Sequence, residues 1–272
     1  MPESGVALHA IASADCDAQE QATIKTLAFR YIVAIAASVA LTSTASAQTV
    51  DTNRPGFSFT PGTVPAGHWQ LETGVAYDRS NGNDESTTLP LAEIRYGLRE
   101  GSEVFLSGLS WTRSEFGNDS SDGFGDVQIG AKFALPKGHG PDADAWTTAL
   151  LLILSVPVGD NDFSSDSWDP GAGFVWTRSG ALPLAGTARV SYVDEEWRFD
   201  NGLKIPVALG GSHSVFVEWE ANVPENGDDT HWLNGGYQYL FGEGIQFDVN
   251  VGAGLNDETG DWRLGIGFST LF

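Results

Sequence analysis

From residue 67 to residue 272, apolar and polar side chains alternate along about twelve segments of roughly ten residues each. In the first segment, Trp69 and Leu71 fall on one face of an extended chain, while Gln70 and Glu72 fall on the other. A period of two is the pattern of a β-strand, because successive side chains of a strand point to opposite faces. The pattern therefore predicts sheet walls with one apolar face and one polar face.

These segments have the length of strands that cross a bilayer at a tilt, which is about ten residues. The most apolar stretch, residues 145–158, lies between Asp144 and Asp160 and is shorter than the roughly 20 residues that a spanning helix needs. If the chain crosses a membrane, it must do so as a closed barrel, since only helices and closed barrels satisfy every backbone polar group in lipid. A soluble β-sandwich has the same period and is the alternative fold.

The connections between the segments alternate in length and in charge. Barrels of the outer membrane have short turns on the periplasmic side and longer loops outside. We therefore predict an all-β fold, an antiparallel transmembrane β-barrel of twelve strands in the cell outer membrane, with both ends of the mature chain in the periplasm. The short set comprises residues 99–102, 137–144, 179–183, 210–214 and 241–244, and the acidic set comprises residues 78–87, 114–123, 160–169, 194–200, 224–229 and 256–261.

The N-terminal region has the parts of a secretory signal. Lys25 and Arg30 precede an apolar run at residues 31–41, and small residues ending at Ala47 follow it. A buried helix of a cytosolic protein is the alternative interpretation of this run. The predicted domains are a cleaved signal peptide with an upstream extension at residues 1–47, an extended N-terminal segment at residues 48–66 and the barrel at residues 67–272.

The chain contains 36 acidic and 14 basic residues, a formal charge of -22. Nucleic acid is excluded as a partner on this basis, because phosphate contacts need clustered Lys and Arg. The single cysteine, Cys16, lies before the predicted cleavage site, so no disulfide or cysteine metal site is predicted. The acidic stretches 160–162 and 226–229 lack the spacing of a calcium loop, and we predict no metal site and no cofactor.

Charged residues recur on the polar face of the predicted strands, which would line the interior of a barrel. Rings of fixed charge in a lumen determine which ions and solutes enter. Alternatively, the charges pair with one another and fill the interior, since a barrel of twelve strands is only moderately wide. The candidate lumen-lining residues are Glu72, Glu93, Arg95, Asp126, Lys132, Arg189, Glu218, Glu220, Asp248 and Arg263.

The segment at residues 48–66 contains three prolines and has little strand character. We predict that it folds into the lumen as a plug. Arg54 is the predicted anchor, reaching an inward carboxylate such as Glu72 or Glu93. A loose periplasmic tail is the alternative.

Aromatic residues fall at the ends of the predicted strands, where amphipathic rings meet the two membrane interfaces. In a soluble sandwich the same residues would be core aromatics. The chain also ends on a strand whose last residue is Phe272, and this terminal aromatic resembles the signal by which the barrel-assembly machinery recognises outer-membrane barrels. The predicted outer-rim residues are Tyr77, Trp111, Trp197, Trp232 and Trp262, and the inner-rim residues are Trp69, Tyr96, Phe133, Trp146 and Tyr239.

Short motifs along the chain resemble those of one family. In order, they are DTNRPGF at 51–57, VPAG at 64–67, QLE at 70–72, EIRYGL at 93–98, GDV at 125–127, GAKF at 130–133 and SVPVG at 155–159. Each motif is weak alone, but their order resembles the phenol meta-pathway degradation (MetA-pathway) family of outer-membrane transporter barrels. The resemblance implies a protein that is not an enzyme of that pathway and that passes small, including aromatic, molecules.

No catalytic residue is predicted. His213 and Ser214 are adjacent in a predicted short turn, and neighbours on a strand point to opposite faces, so they make a poor base and nucleophile. We expect a channel for passive passage of small solutes, aromatic or hydrophobic compounds among them, through a polar lumen. Its expected partners are outer-membrane lipid, lipopolysaccharide and the assembly machinery. The alternative is a sealed barrel with a structural or surface-interaction role through its acidic extracellular loops.

Overall fold

The computed structural model of the protein describes residues 49–80, 84–137 and 145–272. The predicted signal peptide at residues 1–47 lies outside these residues, and so does most of the predicted turn at residues 137–144. Within these three stretches, no helix has both the length and the apolar character needed to cross a bilayer. A short 3₁₀ turn at Asn161–Phe163 lies in one of the connections.

The strands of the described residues form one antiparallel sheet that closes on itself. Closure is made by β1 and β15, which pair from Gln70 opposite Leu271 to Arg79 opposite Trp262. The strands are β1 Trp69–Ser80, β2 Asp84–Leu89, β3 Glu93–Arg99, β4 Ser102–Ser107, β5 Trp111–Phe116, β6 Asp119–Phe124, β7 Val127–Ala134, β8 Trp146–Val156, β9 Asp169–Arg178, β10 Leu184–Val193, β11 Glu196–Gly210, β12 His213–Pro224, β13 Thr230–Phe241, β14 Ile245–Gly254 and β15 Trp262–Leu271.

Six of these strands are halves of three longer ones. β2 continues into β3 through residues 90–92, β4 into β5 through residues 108–110, and β6 into β7 through residues 125–126. Accordingly, β1 pairs with β2 towards its outer end and with β3 near its start. The wall of the barrel therefore has twelve strands, and the predicted fold is confirmed.

Three of the predicted acidic loops are largely strand, and one of them is the loop 194–200, because β11 begins at Glu196. β1 and β2 run into the predicted loop 78–87, and β5 and β6 form a hairpin across the predicted loop 114–123. Polar side chains hydrogen-bond across this sheet, as Thr88 does with Thr112 at 3.0 Å. Polarity alone predicted loops here, but cross-strand polar pairs also stabilise a sheet.

The exposed and buried faces of the barrel are the reverse of those in a soluble protein. Ile129, Val217 and Ile266 are 52%, 52% and 60% exposed, whereas Lys132 and Glu218 are fully buried. A broad outward band of apolar residues is unfavourable in water and suited to the hydrocarbon of a bilayer. Charged side chains are buried only where they find partners, so the interior must supply those partners. A soluble sandwich is incompatible with this arrangement.

Candidate functional site inside the barrel

Residues 49–66, which we call the lumen segment, lie inside the barrel. They hydrogen-bond to side chains on β1, β3, β4, β7, β10, β11, β12, β13 and β14. A closed wall can direct side chains from so many strands only towards something that it encloses. The structure therefore places the segment within the lumen, and its role there as a plug is a prediction.

The first group of charges, the Glu72 group, joins β1 and β3. Arg95 donates to Glu72 at 2.7 Å and to the backbone carbonyl of Asp51 at 2.6 Å. Glu72 accepts the backbone N–H groups of Asn53 at 3.2 Å and of Arg54 at 3.0 Å. The group thus binds one carbonyl and two amides of the lumen segment.

A second group, the Glu103 group, joins β3, β4 and β7. Glu103 pairs with Arg95 at 2.9 Å and with Lys132 at 3.0 Å, and it accepts the backbone N–H of Val64 at 2.6 Å. Lys132 donates to the carbonyl of Thr60 at 2.8 Å. All three charged side chains are fully buried, so the segment supplies partners that water would otherwise supply.

The third group, the Glu218 group, joins β11 and β12. Glu218 accepts the backbone N–H groups of Phe57 and Ser58, both at 2.8 Å. Lys204 lies 3.6 Å from Glu218 and donates to the carbonyls of Pro55 at 3.1 Å and Ser58 at 3.3 Å. This pair again binds amides and carbonyls of the same stretch of chain.

The side chain of Arg54 has a different partner from those suggested by the sequence. Its guanidinium reaches Asp248 at 3.3 Å. Glu72 is already bound to backbone amides, and Glu93 accepts the side-chain amide of Asn53 at 2.6 Å. The choice among inward carboxylates depends on the path of the segment, which the sequence alone does not reveal.

A separate mouth group lies at the outer ends of β12, β13 and β15. Arg263 pairs with Glu220 and donates to Asn234 at 2.9 Å. Its guanidinium lies 4.4 Å from the ring centre of Trp232. Trp232 was assigned to the outer rim, but it shares the inward parity of Asn234 on β13 and belongs to the interior.

Arg189 pairs with Asp200 at 2.7 Å and lies 5.4 Å from the ring centre of Phe57. Asp200 and Glu103 were missed by sequence reasoning. Asp200 is the last residue of the predicted connection 194–200, and Glu103 directly follows the predicted connection 99–102; a charge is ordinary in both places. The alternation of β4 and β11 carried through these connections would have identified both.

Among the predicted lumen-lining residues, Asp126 contacts a connection of the barrel rather than the lumen segment. It precedes β7 and accepts the backbone N–H groups of Gly159 at 2.9 Å and Ser165 at 3.0 Å. These bonds hold the connection between β8 and β9 beside residues 125–126, where the strand formed by β6 and β7 is interrupted.

Part of the interior is apolar, which the expectation of a polar lumen did not include. β8 is apolar on both faces, with Leu152 facing outward and Leu151 inward. An apolar run without a period gives no sign of which residues face inward. Phe59 of the lumen segment packs on this apolar wall, with its ring centre 6.2 Å from that of Phe105. The apolar wall consists of Phe105, Ala149, Leu151, Ile153 and Val175.

Several of the other rim aromatics form pairs across strands. Trp69 and Tyr96 lie 4.6 Å apart between ring centres near the start of β1, and Tyr77 and Trp262 lie 5.1 Å apart towards its outer end. Paired rings at opposite ends of β1 are the arrangement expected at two membrane interfaces.

The histidines of the described residues have polar partners other than a serine. His213 contacts the hydroxyl of Tyr237 at 2.6 Å, whereas Ser214 donates to Gln238 at 3.1 Å on the opposite face. His231 hydrogen-bonds to Asp229 in an outer loop, and this bond lowers the pKa of the Asp229 carboxyl. Neighbouring His213 and Ser214 therefore do not act together.

The barrel resembles solved outer-membrane channels and porins. It matches the COG4313 outer membrane channel from Pseudomonas putida F1 with a TM-score of 0.59 and 12% identity, covering 80% of this chain and 99% of that chain. It matches the NanC porin with a TM-score of 0.50 and 13% identity, covering 74% of this chain and 98% of that chain. At these identities the likeness shows the fold. No curated protein sequence matches the chain.

A family match covers most of the amino-acid sequence. It spans residues 52–272, and so includes nearly all of the lumen segment and the whole barrel. The motifs that carried the resemblance lie almost entirely within this span. The chain belongs to the family described as "Putative MetA-pathway of phenol degradation".

Proposed function

We propose that the protein is an outer-membrane channel through which small solutes pass by diffusion, and that the lumen segment closes the path. The observation that carries the proposal is the enclosed segment, bound to inward charges by its backbone. Water can replace a backbone group as the partner of an exposed carboxylate. Departure of the segment would thus leave a hydrated path with charged walls.

The proposed solutes include aromatic and hydrophobic compounds. The apolar wall supports this, because Leu151 and Val175 are fully buried against the interior beside charged residues. A path with one apolar side and one charged side suits molecules that carry both a ring and a polar group. Catalysis is not part of the proposal.

The outward apolar band is proposed to contact outer-membrane lipid, and the outer loops to contact lipopolysaccharide. Assembly is proposed to use the last strand. Phe272 exchanges two backbone hydrogen bonds with Trp69, each of 2.8 Å, where β15 meets β1. The last residue thus lies at the closing seam of the barrel.

Conductance in planar bilayers tests the closure. The mature chain should give rare, small current steps, and a variant lacking residues 49–66 should give frequent, larger ones. Arg113→Ala is the control, since this residue pairs with Glu115 on the exposed hairpin and both are about half exposed. Heat-dependent gel mobility checks that each variant is folded.

The same experiment distinguishes the channel from a sealed barrel. This second candidate is favoured by the pairing of buried charges with one another, as in Arg95 with Glu72 and Glu103. A folded deletion variant without discrete conductance would support the sealed barrel and overturn the channel. Liposome swelling with sodium benzoate and sodium gluconate then compares an aromatic with a non-aromatic carboxylate, and faster swelling with benzoate is expected.

A further inference from the structure

The wall of the barrel binds the lumen segment chiefly through its backbone. Among the described residues, side chains of the wall bind six backbone amides of the segment. Side chains on the described strands also bind five of its carbonyls at 3.3 Å or less. Within the same described stretches, side chains of the segment hydrogen-bond to side chains of the wall at only three residues, which are Thr52, Asn53 and Arg54.

The backbone contacts repeat one arrangement. In the Glu72, Glu103 and Glu218 groups, a carboxylate accepts N–H groups of the segment while its cationic partner donates to a nearby carbonyl. An amide and a carbonyl close together on an extended chain are features of any peptide. The three groups therefore recognise peptide backbone rather than a particular side chain.

Glycines in the wall allow the lumen segment to approach closely, through its backbone at Gly97 and through its side chains at Gly202. A Cβ atom at Gly97 would lie 2.1 Å from the carbonyl oxygen of Pro65, and one at Gly202 would lie 2.5 Å from the Oγ of Ser58. Such distances are far inside van der Waals contact. The absence of side chains at these two positions shapes the wall to a chain lying against it.

We propose that the barrel interior is a binding site for short extended peptides, and that the lumen segment is its resident, tethered ligand. A free peptide with the same spacing of amides and carbonyls competes for the three groups. The proposal rests on the proposed function in one respect, which is that the segment can leave the lumen.

Cleavage of the chain after folding converts the lumen segment from a tethered into a free ligand. A protease site inserted between Ala66 and Gly67, which are both exposed, allows the folded mature chain to be cleaved there. The released peptide should remain with the barrel during gel filtration in detergent. It should then exchange with an excess of isotopically labelled synthetic peptide of residues 49–66, measured by mass spectrometry, while the uncut chain shows no exchange.

Modified peptides test backbone recognition. N-methylation at Phe57 and Ser58 removes the two donors to Glu218, and it should weaken binding by about tenfold or more, since hydrogen bonds to charged groups are strong. N-methylation at Thr63, whose amide has no hydrogen bond within the described residues, is the matched control. A peptide with Ser58, Thr60 and Thr63 changed to Ala should bind within about threefold of the unmodified one.

Three results would overturn the proposal. They are loss of the cut peptide with no rebinding, unfolding of the barrel on cutting, and equal binding of the peptide methylated at Phe57 and Ser58. Conductance of the cut, peptide-free barrel separates this proposal from the channel function. If the barrel binds peptide but does not conduct, the peptide site is supported and the channel function is contradicted. If it conducts but does not bind peptide, the channel function is supported and the peptide site is contradicted.

Discussion

The Glu103 group and the mouth group use the same kinds of side chain in different surroundings. Arg95 and Glu103 have no exposed side-chain surface, whereas Arg263 and Glu220 are 21% and 14% exposed. Both pairs face the interior of the same wall, but the lumen segment covers only the first. The difference indicates that the segment, more than the wall, determines which charges are removed from water.

This difference also affects how the two groups would respond to opening. A buried ion pair is stable only while every charge keeps its partners, and the Glu103 group draws some of these from the segment. The mouth group is complete within the wall, through Asn234 and Trp232. Release of the segment would therefore change the first group and leave the second nearly unaltered.

The largest expected effect on stability is at Arg95, which the Glu72 group and the Glu103 group share. Arg95→Ala leaves the buried carboxylates of Glu72 and Glu103 without their shared cation, and it should lower the free energy of unfolding by about 3–5 kcal/mol. Urea unfolding of the refolded barrel in detergent measures this. Arg113→Ala, in an exposed pair, should change stability by about 0.5 kcal/mol at most. Equal losses of stability in the two variants would contradict the expected difference between the buried and the exposed ion pairs.

Displacing the segment without cutting it should have the next largest effect. Gly202→Leu places a side chain where Phe57 and Ser58 lie, and it should destabilise the closed state by about 2 kcal/mol. The open probability in planar bilayers should then rise roughly thirtyfold. Gly235→Leu is the control, because the nearest atom to a Cβ there is 3.7 Å away. No increase for Gly202→Leu would show that the segment does not close the path.

A smaller effect is expected where the segment meets the apolar wall. Phe59→Ala removes the ring that packs beside Phe105, which should weaken closure by about 1–2 kcal/mol because Phe59 is only partly buried. The open probability should rise about tenfold in the same recordings. Phe116→Ala, at an exposed phenylalanine of the outer hairpin, should leave it unchanged. If both variants open equally, packing on the apolar wall does not contribute to closure.

Much of the barrel could be predicted, because the alternation of apolar and polar residues shows directly which side chains share a face of a strand. Glu72 and Glu218 were assigned to the inward face on this basis, and both are buried inside. The path of the lumen segment could not be predicted, since backbone contacts leave no trace in side-chain identity. For the same reason the sequence did not single out Asp248, among the inward carboxylates, as the partner of the Arg54 guanidinium. The apolar run of β8 hid an inward face at Leu151 because it lacks a period.

The smallest effect on stability is expected at the mouth group. Arg263→Ala should lower the free energy of unfolding by about 1 kcal/mol or less, because the pair with Glu220 is partly exposed and screened. Its effect should be on ions instead, since loss of the cation leaves the Glu220 carboxylate facing the path. In the variant lacking residues 49–66, reversal potentials in a KCl gradient should shift towards cation selectivity for Arg263→Ala and stay unchanged for Arg263→Lys. A large loss of stability would instead place this group with the buried ones, and the contrast between covered and open charges would fail.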